Sequence, residues 1–453
     1  MSVRSRLTGS FAANCFSFAV TTIVQFGSVP ILLIAWGPTL YGEWLLASTI
    51  PNYLAMSDLG LGTSLSNEMA LAVGRNDRKT ANAAFQSVGL VLLLLGPVVF
   101  TLIFLFLRQF PIGMMLGIKT ISPNDFAFLI GLLLILLWLG QQIGIIGAGF
   151  RCAGYYPLST FLTNLSRLLE FSSFAGAAYM GYGPIGATVV MIAVRIICLS
   201  VLIILLRLMV PWLRFGTNEV RINIIKSLLH PGMAFLMIPI SNAINMQTPL
   251  LIIGALIGPN AVAAFATTRT ISRAILQLTS IVNNSVWPEL SFAFGMQDLD
   301  MLKRLFRLSV ITSMWMGLFG AAFLAVFGPF LFKLWTHQLV TLDPVLFDLL
   351  LIVMVANTLW QVASTVLAAI NRVTGLACAY FFGNLAAAPI CYALGLIDGT
   401  RGIAGGLIIC ELAIAVYVLP ASFHVVSESF SDFIKTFFSP YKLLQLIRPG
   451  SVR

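Results

Sequence analysis

Long apolar stretches recur along the whole chain and constrain its fold more than any other feature. A membrane-crossing helix needs about 20 predominantly apolar residues, and charged residues, prolines and glycines separate twelve such stretches here. They lie at about 10–36, 43–71, 82–107, 124–150, 157–181, 184–210, 231–257, 261–292, 308–332, 346–371, 374–396 and 402–425. Because 59% of the residues are hydrophobic and only 9% are charged, a water-soluble fold is excluded. The sequence predicts an all-α integral membrane protein of about twelve transmembrane helices.

The positions of lysine and arginine predict which side of the membrane each loop faces. Short cytoplasmic loops accumulate these residues. If the N-terminus is cytoplasmic, most of the 26 lysines and arginines, Arg151 among them, fall in cytoplasmic segments. The sequence therefore predicts a multi-pass protein with both termini in the cytoplasm. This topology also accounts for the net charge of +10 without a nucleic acid as partner.

The two halves of the sequence match each other around their first helical hairpins at a constant offset of 221 residues. The matched pairs are Gly37 with Gly258, Pro38 with Pro259, Thr49 with Thr270, Ser64 with Ser285, Glu68 with Glu289, Gly74 with Gly295, and Asp77 with Asp298. Six helices are an even number, so such halves share one orientation, as in the parallel repeats of some secondary transporters. We expect two six-helix lobes and a central cleft. The predicted segments are an N-terminal lobe (1–210), a cytoplasmic linker (211–230), a C-terminal lobe (231–425) and a cytoplasmic tail (426–453).

Two arginines of the eighth stretch, Arg269 and Arg273, are four residues apart and therefore share one helix face. A charge at the bilayer centre costs about 2.5 to 3.5 kcal/mol, so it lines a wet cavity or has a partner. Neither arginine has an acid within four residues. One interpretation is a cationic stripe that binds a phosphate or an acidic sugar. The other is pairing with an acid of another helix, such as Asp348 or Glu411. We favour the stripe.

Five further polar residues lie within the stretches and are candidates for substrate binding or for structural pairing. Arg167 and Glu170 are three residues apart, and we expect them to pair with each other. Arg195 of the sixth stretch either pairs with Glu170 or faces the cleft. Asn242 and Asn245 lie between two prolines of the seventh stretch, which predicts a polar, kinked helix. For any single amide, hydrogen bonding between helices is the preferred interpretation.

Acids within the stretches are candidates for coupling to an ion gradient. Asp58, Glu170 and Glu411 lie near the middle of their stretches, where desolvation favours the protonated carboxyl group and suits proton exchange. An acid that balances a buried arginine is the alternative. Glu68 and its repeat mate Glu289 fall near the predicted cytoplasmic ends of their helices, which indicates a shared capping or gating role.

Several functional classes are excluded or disfavoured by what the sequence lacks. It contains no GxxxxGK[ST] phosphate-binding loop, so ATP hydrolysis by that route is excluded. The six cysteines and three histidines are dispersed, and we predict no metal site, no cofactor and no disulfide framework. The GxxxG pattern from Gly140 to Gly144 predicts at most a close approach of two helices.

Two motifs of the first hairpin are shared with a known family: Trp36-Gly-Pro-x-x-Tyr41-Gly-x-Trp44 and Asp58-Leu-Gly-Leu-Gly62. They resemble the polysaccharide transporter family, the flippases for lipid-linked O-antigen and exopolysaccharide units. That family belongs to the multidrug/oligosaccharidyl-lipid/polysaccharide exporter (MOP) superfamily, with the multidrug and toxin extrusion (MATE) transporters and the lipid II flippases. The lipid II flippases have fourteen spans, which argues against that branch.

The resemblance implies a V-shaped, MATE-like pair of helical bundles in a bacterial cytoplasmic (inner) membrane. It implies an undecaprenyl-diphosphate-linked oligosaccharide as substrate, moved from the cytoplasmic to the outer leaflet by alternating access. By the same resemblance, Arg269 and Arg273 face the anionic head group, with Asp58 as a partner on the second span. The expected partners are this lipid-linked substrate, membrane lipids, H⁺ or Na⁺, and other membrane proteins of polysaccharide assembly.

Two alternatives remain at this point. A MATE-type antiporter for drugs or cations would have a cavity dominated by carboxylates, which the four arginines within the stretches disfavour. A membrane enzyme of polysaccharide assembly, such as a polymerase or ligase, would need a large external loop. The longest predicted external loop, about 108–123, is too short for one, so we predict a protein that is not an enzyme.

Overall fold

The computed structural model describes residues 3–55, 61–110, 112–370 and 372–437, and the regular secondary structure of those ranges is helical. The helices are α1 (Val3–Leu54), α2 (Leu61–Gly74), α3 (Arg78–Gln109), α4 (Ile112–Met115), α5 (Pro123–Cys152), α6 (Tyr156–Tyr179), α7 (Pro184–Met209), α8 (Ile222–Leu256), α9 (Pro259–Ser272), α10 (Ala274–Gly295), α11 (Leu299–Trp335), α12 (Pro344–Ala369), α13 (Val373–Val426) and α14 (Phe430–Phe437).

Eight helices within the described ranges are long and apolar enough to cross a membrane. Two of these apolar segments, Ala12–Leu54 and Thr374–Val426, have 43 and 53 residues, about twice what one crossing needs. Each is interrupted: α1 at Gly37, with a φ of 71°, and α13 at Asp398 and Gly399. A positive φ is open to glycine without steric cost. These interruptions coincide with the predicted ends of the first and eleventh stretches, and the prediction of an all-helical, multi-span membrane protein is confirmed.

The internal repeat is visible in the backbone. Asn76 and Gln297, 221 positions apart, are both left-handed, with φ of 60° and 58°. The residues that follow them, Asp77 and Asp298, begin α3 and α11. Each aspartate accepts a hydrogen bond from the backbone N–H three residues on, at 3.0 Å and 2.9 Å, which satisfies an N–H group that the helix itself leaves unpaired.

The chain forms two compact units. Unit 1 comprises Met1–Ala243 and Ile257–Ala263, and unit 2 comprises Ile244–Leu256 and Ala264–Arg453. A buried core of unit 1 is built from α2, α3, α5 and α7 around Leu65, Val88 and Leu206. A buried core of unit 2 is built from α10 to α13 around Phe306 and Val366.

The connection between α7 and α8, which lies in the predicted linker, is fastened to α3 within unit 1. Asn82 accepts the N–H of Arg214 at 2.7 Å, and Gln86 donates to the carbonyl of the same residue at 2.9 Å. Gln86 also accepts the N–H of Glu219, and the hydroxyl of the next α3 residue accepts the N–H of Arg221, both at 2.9 Å. Buried polar side chains on α3 thus hold an irregular segment in place.

A buried carboxylate holds the connection between α4 and α5. Glu43 is 0% exposed. Its Oε1 accepts the backbone N–H groups of Lys119 and Thr120 at 2.8 and 2.7 Å, and its Oε2 accepts that of Ile121 at 2.9 Å. The three donors satisfy a charge that would otherwise be costly to bury. The sequence alone does not predict this role of Glu43, because nothing in its neighbourhood along the chain marks the loop that it binds.

Candidate functional site

An ion pair between two helices lies in the interior of unit 1. Glu170 of α6 is 2% exposed and pairs with Arg195 of α7. Arg195 also donates from Nη1 to the carbonyl oxygen of Leu136 on α5. Of the two interpretations of Arg195, pairing with Glu170 is therefore confirmed.

The predicted pair between Arg167 and Glu170 is wrong. Arg167 Nη1 donates instead to Thr21 Oγ1 on α1, at 3.3 Å. A pair three residues apart on one helix contributes only about 0.2 to 0.5 kcal/mol. The buried carboxylate is neutralised by a cation of the neighbouring helix, and Arg167 is exposed. Spacing along α6 could not show which helices pack beside it.

Two cavities of unit 1 share Arg195. The first, which we call the α6 cavity, has a volume of about 470 Å³ and is lined by Trp44, Asn164, Arg167 and Glu170 as well as Arg195. The second, which we call the α5 cavity, has a volume of about 610 Å³. Its lining residues are Ala55, Gly62, Ser66, Asn67, Leu92, Leu137, Gly140, Gln141, Gly144, Arg151, Tyr156 and Arg195.

Arg151 is a cavity residue that sequence reasoning missed, since it was assigned to a cytoplasmic segment. Its Nε donates to Ser66 Oγ at 3.1 Å. The signal was present in the sequence, because Gly140, Gly144 and Arg151 recur at helical spacing. The GxxxG pattern predicts at most a close helix approach, and an added Cβ at Gly144 would meet no atom within 4 Å.

A buried polar cluster lies in unit 2 around Glu411 of α13, which is 1% exposed. Its carboxylate accepts hydrogen bonds from Asn357 Nδ2 at 2.9 Å and from Trp360 Nε1 at 2.7 Å. Asn245 Nδ2 lies 3.5 Å from the same carboxylate and donates to Asn384 Oδ1 at 2.7 Å. The predicted interhelical role of Asn245 agrees with these contacts.

Arg269 belongs to this cluster and is 6% exposed. Its Nη2 donates to Asn245 O at 3.0 Å and to Asn245 Oδ1 at 2.8 Å, and its Nη1 lies 3.3 Å from Met246 O. Arg273 is half-buried and lies within electrostatic range of Glu411. Among the described residues, neither guanidinium lies within 4 Å of a carboxylate. The alternative partner, Asp348, is exposed.

The remaining predicted residues are not gathered at these sites. Asn242 is exposed although Asn245 is buried, so the two amides have different surroundings. Glu68 on α2 is half-buried, whereas its repeat mate Glu289 on α10 is exposed. Asp58 lies outside the described residues. Within the described part of the chain, no group of three or more histidines, cysteines or acids could hold a metal ion.

No protein-family model matches the sequence, and no curated protein matches it. Solved structures do match the fold. A multidrug resistance MATE family transporter of the MOP superfamily, in an inward-facing conformation, has a TM-score of 0.70 and 16% identity over 93% of this chain and 99% of that one. The lipid II flippase MurJ, in an inward closed conformation, has a TM-score of 0.71 and 12% identity over 96% and 90%.

A third match is a MOP superfamily transporter from Pyrococcus furiosus, for which a reverse polarity of the binding pocket is described as suggesting a different function. It has a TM-score of 0.60 and 16% identity over 96% of each chain. This protein therefore has the fold of the MOP superfamily transporters, and the predicted fold class is confirmed. The narrower resemblance to polysaccharide transporters stays a prediction.

Proposed function

We propose that this protein is a flippase that moves an undecaprenyl-diphosphate-linked oligosaccharide, an O-antigen or exopolysaccharide unit, from the cytoplasmic to the outer leaflet by alternating access. The observation that carries the proposal is a two-to-one ratio of arginine to glutamate in each polar cluster. The clusters are Arg167, Arg195 and Glu170 in unit 1, and Arg269, Arg273 and Glu411 in unit 2.

The surplus positive charge favours an anionic substrate over a cationic drug. Glu170 is neutralised by Arg195, and Glu411 accepts two short hydrogen bonds from neutral donors. Neither carboxylate has the open surroundings that a cationic substrate would need. Pocket polarity is also the feature from which a different function was suggested for the P. furiosus transporter.

Arg167 is well placed to contact an anionic substrate in the α6 cavity. A guanidinium has five N–H donors, and Arg167 uses one of them within the described residues, in its 3.3 Å contact with Thr21. Arg269, by contrast, is buried and engaged with α8, and it positions that helix. Arg273, the other arginine of this cluster, is half-buried.

The membrane potential assists the proposed direction of transport. A potential of about 100 mV, negative inside, favours outward movement of an anion by about 2.3 kcal/mol per elementary charge. Return of the empty carrier would be coupled to H⁺ or Na⁺ at an acid, for which Glu170, Glu411 and Asp58 are the candidates. The prenyl tail stays in the lipid throughout the cycle.

The test is translocation of a fluorescent prenyl-diphosphate oligosaccharide in proteoliposomes. Replacing Arg167 by Gln removes charge-assisted hydrogen bonds, and we expect translocation to fall by about tenfold or more. Arg108→Gln is the matched control, because Arg108 is exposed at the end of α3 and lines none of these cavities.

Efflux of a cationic dye is measured in parallel, with and without H⁺ and Na⁺ gradients. Dye efflux without movement of the oligosaccharide lipid would reject the flippase in favour of the MATE-type antiporter. If the rate of translocation depends on neither gradient, transport is not coupled to H⁺ or Na⁺.

A further inference from the structure

One face of α5 forms the wall of the α5 cavity. Leu137, Gly140, Gly144 and Arg151 line it, at spacings of three, four and seven residues that place them on one side of the helix. Glycine removes the side-chain volume that would otherwise fill the space. An added Cβ at Gly144 would meet no atom within 4 Å, so the cavity lies open along the middle of this face.

Two guanidinium groups border this glycine face. Arg195 Nη1 lies 3.3 Å from the position that a Cβ would take on Gly140. Arg151 Nη1 lies 3.8 Å from the corresponding position on Gly147. Positions 140 and 147 are two turns apart, so the two guanidinium groups contact α5 at points about 10 Å apart along its axis.

The other lining groups are neutral. Ser66, Asn67 and Tyr156 contribute hydroxyl and amide groups, and the described lining contains no carboxylate. Arg195 is paired with Glu170 through Nη2 and donates to the carbonyl oxygen of Leu136 through Nη1. Each of these two nitrogens carries a second N–H.

We propose that the α5 cavity is a binding site for a phosphate-class anion, and that a diphosphate bridges Arg151 and Arg195. A diphosphate consists of two phosphates that share an oxygen, so each phosphate can accept charge-assisted N–H···O bonds from one of the two guanidinium groups. The identification of the anion with a lipid head group rests on the proposed function, whereas the site itself does not.

The experiment measures binding to the full-length protein in nanodiscs by calorimetry. The probes are inorganic phosphate, inorganic diphosphate and undecaprenyl diphosphate incorporated in the nanodisc. We expect a diphosphate, free or lipid-linked, to bind at least about tenfold more tightly than phosphate, because it engages both arginines. Binding of the lipid probe alone would identify a head-group site; binding of free diphosphate would show access from water.

Gly144→Leu tests the location of the site, since its side chain would fill the cavity without meeting neighbouring atoms at Cβ. We expect diphosphate binding to weaken by about tenfold or more, and the same for Arg151→Gln. Gly176→Leu is the matched control: Gly176 is a helical glycine of α6 with no atom within 4 Å of an added Cβ, and it lines neither cavity.

Equal binding of phosphate and diphosphate, or diphosphate binding unchanged in Gly144→Leu, would overturn the site. These outcomes are separable from the fate of the flippase. If the protein translocates the lipid and Gly144→Leu does not weaken diphosphate binding, the proposed function stands and the proposed site is rejected. If Gly144→Leu loses diphosphate binding but the protein does not translocate the lipid, the proposed site stands and the proposed function is rejected.

Discussion

Replacing Glu43 by Gln is expected to release the connection between α4 and α5. The carboxylate accepts three backbone N–H groups, from Lys119, Thr120 and Ile121. In the least costly arrangement, the amide oxygen of glutamine keeps the first two as neutral hydrogen bonds. Its NH₂ group then faces the third N–H, which loses its acceptor.

The cost follows from the change in these three bonds. A hydrogen bond to a charged group contributes about 1.5 to 3 kcal/mol and a neutral one about 0.5 to 1.5, so the two retained bonds lose about 1 kcal/mol each. The orphaned buried N–H costs a further 1 to 3 kcal/mol or so. The sum is about 3 to 5 kcal/mol, and its lower end corresponds to about a 100-fold change in a local opening equilibrium.

The assay is hydrogen–deuterium exchange of the amides of residues 119–121 in the purified protein, resolved by mass spectrometry. We expect these three amides to exchange about 100-fold faster in Glu43→Gln, because they open without their charged acceptor. Glu289→Gln, on the exposed surface of α10, is the control and should leave them unchanged. If these amides exchange within about threefold of the wild-type rate, Glu43 is not the acceptor that protects them.

Three further outcomes are expected. Arg195→Gln leaves the buried carboxylate of Glu170 unpaired and should cost about 3 to 5 kcal/mol of stability. In thermal unfolding, adding Glu170→Gln to this variant should restore part of the lost stability. No recovery in the double variant would contradict a direct pair. The hydrogen bonds from Arg401 hold the pKa of Asp343 below its ordinary value of 3.8. The stability that they give the folded protein is therefore fully present above pH 3.8 and is lost as the pH falls through the lowered pKa of the folded state. The stability difference between wild type and Asp343→Asn should therefore vanish in acid, and a constant difference would refute this. Gly42→Ala places a Cβ 2.0 Å from a backbone carbonyl oxygen and should cost about 1 to 3 kcal/mol; an unchanged melting temperature would show that the neighbouring segment yields.

The helical framework could be predicted from sequence because its causes are local. Apolar length defines the spans, and the break in α1 falls at Gly37, where the backbone has a positive φ. The repeat was also readable, since Asp77 and Asp298 hold one register and cap their helices in the same way. Length, glycine and helix caps act over a few residues, so a single sequence displays them.

The polar contacts could be predicted only in part, because they depend on which helices pack together. Glu170 had a cation three residues away and pairs instead with Arg195 on α7. Arg151 was counted among the residues that set topology, although it lines a cavity together with Arg195. In both cases the deciding distance lies between elements that are far apart in sequence.

The hydrogen bonds between the α7–α8 connection and α3 determine where this chain can be cut or can carry an inserted tag. Residues 211–221 look like a natural place for a protease site, a fluorescent insertion or a split between two co-expressed halves. Four hydrogen bonds tie this segment to Asn82, Gln86 and Ser87, which are buried. An insertion there would separate this segment from α3 and leave three buried polar side chains without their hydrogen-bond partners. A cut placed after Arg221, at the start of α8, would leave all four hydrogen bonds within one fragment.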